Sequence, residues 1–142
     1  MDDVEPLTRD ELRCLADWLP ILDAPGYSLG RWSDEKARPD GAIPMPYFEF
    51  DPRRPIWPGT CGGLSMIRAG FDWNTWLQGP SGRAIAADPA TVARATPLDL
   101  ARLVTAIVRG DRFTEGNIEA AFERGFLMAI SRRAAALLEG AG

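Results

Sequence analysis

Arg109-Gly110-Asp111-Arg112-Phe113-Thr114-Glu115-Gly116 sits at the centre of a longer stretch, Leu98 to Leu138, whose reading decides the fold. Upstream, Thr96-Pro97-Leu98-Asp99 is a helix start: threonine at the N-cap, proline at the first helical position and aspartate at the third. Leu100, Leu103, Val104, Ile107 and Val108 then recur at helical spacing as one apolar stripe, and Gly110 stops it. Downstream, Thr114 is placed to cap a second helix, with Asp111 and Glu115 at its positive end. Ile118, Ala121, Phe122, Gly125, Phe126, Ala129, Ile130, Ala134 and Leu137 carry an apolar face to the C-terminus. Arg132 and Arg133 suit the negative end of that helix. Two apolar-striped helices joined by a short charged turn predict an antiparallel helix hairpin.

Outward from the hairpin the signals weaken. Thr8-Arg9-Asp10-Glu11 is a capping box, and Leu12, Leu15, Ala16, Leu19 and Leu22 follow at helical spacing. A first helix is expected from about Arg9 to Leu19, ended by Pro20 and Pro25-Gly26. Within residues 26–46, Tyr27 to Trp32 reads as a short turn or strand, Ser33 to Gly41 as an exposed loop, and Pro44 and Pro46 favour extended backbone; Tyr47-Phe48-Glu49-Phe50 reads as an edge strand or an extended aromatic arm. Three prolines make residues 51–59 irregular. Leu64 to Gly70 suits one or two helical turns closed by the glycine. Asp72 can cap a short helix that places Trp73 and Trp76 on one face, ended by Gly79-Pro80-Ser81-Gly82. Residues 85–92 are ambiguous, with Asp88-Pro89 able to begin a turn of helix. The expected fold is mainly α: a compact single domain over residues 1–142, with flexible ends at 1–7 and 139–142 and at most a small strand pair, which would make it α+β.

Composition narrows the chemistry. A chain of 142 residues with 46% hydrophobic and 25% charged residues is long enough for one real core. It has no histidine, which excludes Ser-His-Asp and Cys-His catalysis and any His-ligated zinc within the chain. No metal and no cofactor is expected. The two cysteines, Cys14 and Cys61, form no CxxC pair and are expected to stay reduced. No apolar run approaches a membrane span, and the acidic N-terminus has no signal-peptide core, so a cytoplasmic protein is expected. Net charge is −4, but residues 1–51 hold twelve acids and five bases, whereas residues 52–142 hold eight acids and eleven bases. That asymmetry can orient an encounter with a charged partner, yet the positive part is too weak for a nucleic-acid footprint. Lys36 is the single lysine among sixteen basic residues, which together with the many alanines points to a GC-rich bacterial genome.

Five features compete for a functional role. Arg109, Asp111, Arg112 and Glu115 crowd the hairpin turn; they could bind an anion beside exposed helix amides, or pair with one another and with Asp72 as a structural clamp. Asp72, Trp73 and Trp76 could form an aromatic platform, or pack into the core with each indole N–H on a carbonyl. Glu115, Glu119 and Glu123 share a helical face and read as solvated, because carboxylate metal sites in bundles usually add histidine. Thr60-Cys61-Gly62-Gly63 offers a thiol without a base to activate it. The acidic N-terminal third could imitate nucleic acid but lacks a block of like charge.

Phe71-Asp72-Trp73-x-x-Trp76, then Leu100-x-x-Leu103-Val104-x-Ala106-Ile107-Val108-Arg109-x-Asp111-Arg112-Phe113-x-Glu115-Gly116, then Phe122-Glu123-x-Gly125, resembles a family of small bacterial proteins known as a domain of unknown function. The resemblance covers roughly residues 45–138. It implies one shared structural unit and no activity.

These readings favour a non-enzymatic protein-interaction module, an accessory protein of a phage or mobile element that inhibits or adapts a larger machine. The alternative is a small-ligand or anion-binding domain, or an Asp/Glu-Arg enzyme, with a tryptophan-lined pocket whose polar groups are Asp72, Arg109, Arg112 and Glu115. A protein partner is expected, a small anionic ligand is the second choice, and neither nucleic acid nor membrane is expected.

Overall fold

A computed structural model of the chain describes residues 4–28, 30–32, 41, 48–50, 66–68, 70–111 and 116–140. Among them the architecture is mainly helical. The elements run α1 (Arg9–Asp17), α2 (Leu19–Leu22), β1 (Gly30–Trp32), β2 (Phe48–Phe50), α3 (Trp73–Gln78), α4 (Pro80–Ala87), a 3-10 helix (Pro89–Arg94), α5 (Pro97–Gly110), α6 (Asn117–Glu123) and α7 (Phe126–Leu138). The strands pair antiparallel, with Arg31 opposite Glu49. Expected strand residue Phe48 is buried, and the edge of its ring meets Trp32 at 5.6 Å between centroids.

α5 forms at the expected place for the expected reason. The Thr96 hydroxyl accepts from the Asp99 amide, the Asp99 carboxylate accepts from the Thr96 amide, and Pro97 starts the first turn. Its stripe is the centre of the molecule: Leu100, Ala101 and Val104 are wholly buried. α1 packs chiefly on α7, which also covers the 3-10 helix. Leu15, Leu127, Ile130 and Ala134 complete the core from those helices. Burying a large aliphatic side chain contributes about 1.5–3 kcal/mol, so this interior is the main stabilising term.

Several boundaries differ from the sequence reading, each for a local reason. α1 ends at Asp17, and Pro20 does not simply stop it but lies in the first turn of the short α2, where a missing amide is no loss. Gly79-Pro80 ends α3 and at once begins α4, because Gly79 is in extended conformation and Pro80 occupies the first helical turn. Gly82 lets the two helices cross, since a Cβ there would fall on the Trp76 carbonyl oxygen. The ambiguous stretch resolves into the end of α4 and the 3-10 helix, which Asp88 caps by accepting from the Ala90 amide at 2.9 Å. The long C-terminal helix is two helices: Gly125, at φ +87°, breaks it in a backbone region that side-chain-bearing residues rarely adopt. The expected Thr114 cap lies outside the described residues; α6 begins instead at Gly116, which is left-handed. Nor do Met66 to Arg68 form helical turns. Their backbone groups turn to Thr105 on α5, whose hydroxyl accepts from the Arg68 amide at 3.0 Å and faces the Met66 carbonyl at 3.5 Å.

Cys14 is disulfide-bonded, which corrects the expectation of reduced thiols. The chain's other cysteine, Cys61, lies outside the described residues. Distance along the chain is a weak argument against such a bond, because loop-closure entropy grows only logarithmically with length.

One polar contact ties the elements together. Glu11 is 4% exposed, yet it is ionisable. Arg68 grips it with both terminal nitrogens, at 2.8 and 3.1 Å, and also donates to the Glu5 and Pro6 carbonyls. The same carboxylate accepts the Thr8 amide in the capping box of α1. Leu7, within the stretch expected to be flexible, is buried, and its amide donates to the Pro97 carbonyl. Burial pushes the Glu11 carboxyl up, but the Arg68 and Thr8 hydrogen bonds outweigh it and the net shift is downward. A lowered folded value means the stabilisation is complete above the ordinary glutamate range and is lost as pH falls through the folded value.

Removing one partner of a buried pair leaves the other charge uncompensated, at a cost of about 3–5 kcal/mol. Arg68→Met should therefore lower the unfolding free energy in urea by about that amount. The Glu11→Leu/Arg68→Met double variant should recover to within about 2 kcal/mol of the parent, the remainder being the lost cap.

Candidate functional site

The hairpin turn is held by a reciprocal exchange of caps. Asn117, at the start of α6, donates its side-chain amide to the Ile107 carbonyl of α5 at 2.7 Å. Asp111, at the end of α5, accepts the Ile118 amide of α6 at 3.2 Å. Each helix thus satisfies an orphan backbone group of the other, and the two ends are locked at close range. Gly110 gives the Asn117 side chain room at this crossing, since a Cβ would stand 2.8 Å from its amide nitrogen. Gly116 lies under the Trp32 indole, which occupies the space a Cβ would take.

The sequence candidates separate on this frame. Asp72 caps α3 by accepting the Thr75 amide and hydroxyl at 3.1 and 2.7 Å, and the Thr75 hydroxyl chiefly holds its carboxyl below the ordinary range. Trp73 and Trp76 are half-buried on α3. Trp76 tilts against Phe71 at 5.9 Å, and its indole nitrogen, contrary to expectation, reaches no carbonyl and has no hydrogen-bond partner. The half-buried Arg109 likewise has a buried Nε without a partner, and no described residue pairs it with Asp72. Asp111 is a cap. Arg112 and Glu115 lie outside the described residues, as does the Cys61 motif.

The glutamate face is not a uniformly solvated one. Glu119 and Glu123 hydrogen-bond to each other, and Glu119 accepts the indole N–H of Trp32, a residue 44% exposed. Desolvation first, then the Glu123 hydrogen bond and its charge, push the Glu119 carboxyl up to about 7. Glu115, the third residue of that face, is not among the described residues. Among the described residues no group of three or more His, Cys, Asp or Glu could hold a metal ion.

Concavities lie elsewhere among the described residues. The first, of about 160 Å³, lies where α5 and α6 meet α3 and α4, with Leu103, Ile107 and Phe126 in its wall and Asn117 and Arg124 as its polar groups. The second, of about 250 Å³, is a groove between the 3-10 helix and α7. Pro89, Ala90 and Ala93 form one bank, and Ala129, Arg132, Arg133 and Ala136 the other. The sequence did carry a signal for this groove: small and basic residues at i, i+3, i+4 and i+7 on α7. It was absorbed into the apolar stripe and the end-charge rule. Nothing local marked Arg124.

Among the described residues the molecule is mainly helical, built round one buried helix, with apolar concavities on its surface. The chain belongs to a family of unknown function, DUF6508, whose model matches residues 7–140. The match takes in the N-terminal helix as well as the stretch that carries the motifs. No curated protein and no solved structure matches the chain. No helix among the described residues is long and apolar enough to cross a membrane.

A raised glutamate value sets a pH dependence of definite sign. Protonated Glu119 stabilises the fold below pH 4.5, and that contribution is lost as pH rises to about 7. The urea midpoint should fall across this interval, and Glu119→Gln, which keeps a neutral hydrogen-bonding group, should flatten the fall.

Proposed function

We propose that this chain is a non-catalytic interaction module that docks an acidic, amphipathic helix of a protein partner in the groove between the 3-10 helix and α7. The observation that supports the reading is the groove's composition. Apart from two arginines its lining is alanine and proline, so a partner helix can approach closely, and interaxial distance follows side-chain size. Its rim carries Arg132 and Arg133. Arg132 is exposed and makes no ion pair among the described residues. Arg133 donates from Nε to the Ala95 carbonyl at 2.7 Å, which fixes its stem beside the 3-10 helix. An apolar trough with arginines along one bank is complementary to a helix with an apolar stripe and an acidic flank.

A nucleic acid is a poorer occupant. The first 51 residues carry an excess of seven negative charges, which opposes the phosphate backbone at long range. Within this proposal the partner is part of a larger machine that the chain inhibits or adapts, in the manner of phage and mobile-element accessory proteins.

Affinity capture from a native lysate, run in parallel with an Ala93→Glu/Arg132→Glu variant, tests the surface. A partner should be held by the parent, released with rising salt, lost in the variant, and retained by an Arg13→Ala control at an exposed position of α1. Equal capture by parent and groove variant, or no partner at all, would overturn the proposal.

A further inference from the structure

The concavity at the junction of α5 and α6 with α3 and α4 lies apart from the groove. Its volume of about 160 Å³ is close to that of an engineered apolar cavity of about 150 Å³ that holds one benzene ring. Most of the wall is apolar, with Leu103, Ile107, Ala121 and Phe126 each less than a tenth exposed. Room on this scale fits one ring or one branched chain of about five carbons, and no cofactor.

The polar groups are few and of one sign. Arg124 is exposed, stands over the Phe126 ring at 5.0 Å, and donates one terminal nitrogen to the Ala86 carbonyl at 3.1 Å. That single bond and the ring beneath hold the guanidinium in place while leaving other N–H groups unused. No carboxylate among the described residues pairs with it. Asn117 lines the same concavity, and its side-chain amide is fixed by the Ile107 carbonyl. A planar guanidinium fork matches a carboxylate, and one cation balances one negative charge rather than the two of a phosphate monoester.

We infer that this pocket binds a small monocarboxylate with a compact apolar body, its ring or branched chain between α5 and α6 and its carboxylate on Arg124. Pre-ordering of the cation reduces the entropy lost on binding. Benzoate is a suitable probe because it has the size and the single charge and nothing else. Its dissociation constant should fall at about 0.1–3 mM, as expected for so few atoms.

The test is a backbone NMR titration of the full chain with benzoate and with benzyl alcohol, which has the ring but no charge. Benzoate should shift the amides of Leu77, Ala106 and Asn117, and benzyl alcohol should bind about tenfold more weakly. Arg124→Gln should bring benzoate down to the alcohol's level. Ala120→Leu, at an exposed position on the pocket rim, should abolish binding of both, and the same spectra report whether each variant is folded. The inference is overturned if no shift appears up to about 20 mM benzoate. It is overturned equally if the alcohol binds as well as the acid, or if Ala120→Leu leaves the titration unchanged.

Discussion

A carboxylate withdrawn from water costs several kcal/mol unless charge and hydrogen bonds replace its hydration. Glu11 is in that position, and the molecule is organised around satisfying it. Arg68 supplies the charge and two hydrogen bonds, while Thr8 supplies a backbone amide. The arginine in turn needs acceptors, which the chain before α1 provides through Glu5 and Pro6. Its own amide is taken by Thr105 in the middle of the buried helix. Three stretches far apart in sequence, residues 5–11, Arg68 and Thr105, therefore meet at one node. The apolar core supplies most of the stability, but it is non-directional; the node fixes which way the N-terminal segment and α1 lie against α5.

The sequence showed the parts of this arrangement that are local. Capping boxes at Thr8 and Thr96 act over three residues, so their partners can be read from spacing. The stripe of α5 is legible for the same reason. What escaped is what depends on a distant partner. Glu11 looked like a cap and nothing more, since no local rule says that Arg68 will reach it across 57 residues. Met66 to Arg68 have helix-compatible residues, but Thr105 offered their backbone a tertiary alternative. Gly125 was read as part of an apolar face because periodicity does not register a left-handed residue that keeps the period nearly intact.

The candidate site divides in the same way. Asp72 and Asp111 were singled out as possible ligand groups, and their carboxylates prove to be helix caps, which sequence spacing can suggest. Arg124 and the alanine-lined groove were not singled out. Concavities arise from side chains that are absent, and small residues leave no mark in a hydrophobic pattern. Glu119 is the instructive case. Its spacing from Glu123 was plain, but its partial burial and the hydrogen bond it accepts from Trp32 of the strand pair were not. A pattern that reads as solvated becomes titratable near neutral pH through desolvation and the Glu123 carboxylate, while the hydrogen bond from Trp32, distant in sequence, opposes the shift.

The node makes a claim about cooperativity: the N-terminal segment, α1 and α5 open together or not at all. Native-state hydrogen exchange measures this directly. The amides of Leu12 and Leu15 on α1 and of Val104 and Ile107 on α5 should exchange with the same opening free energy and the same urea dependence. If α1 instead exchanges through a local, urea-independent opening while α5 stays protected, the Glu11–Arg68 contact does not hold the fold together as described here.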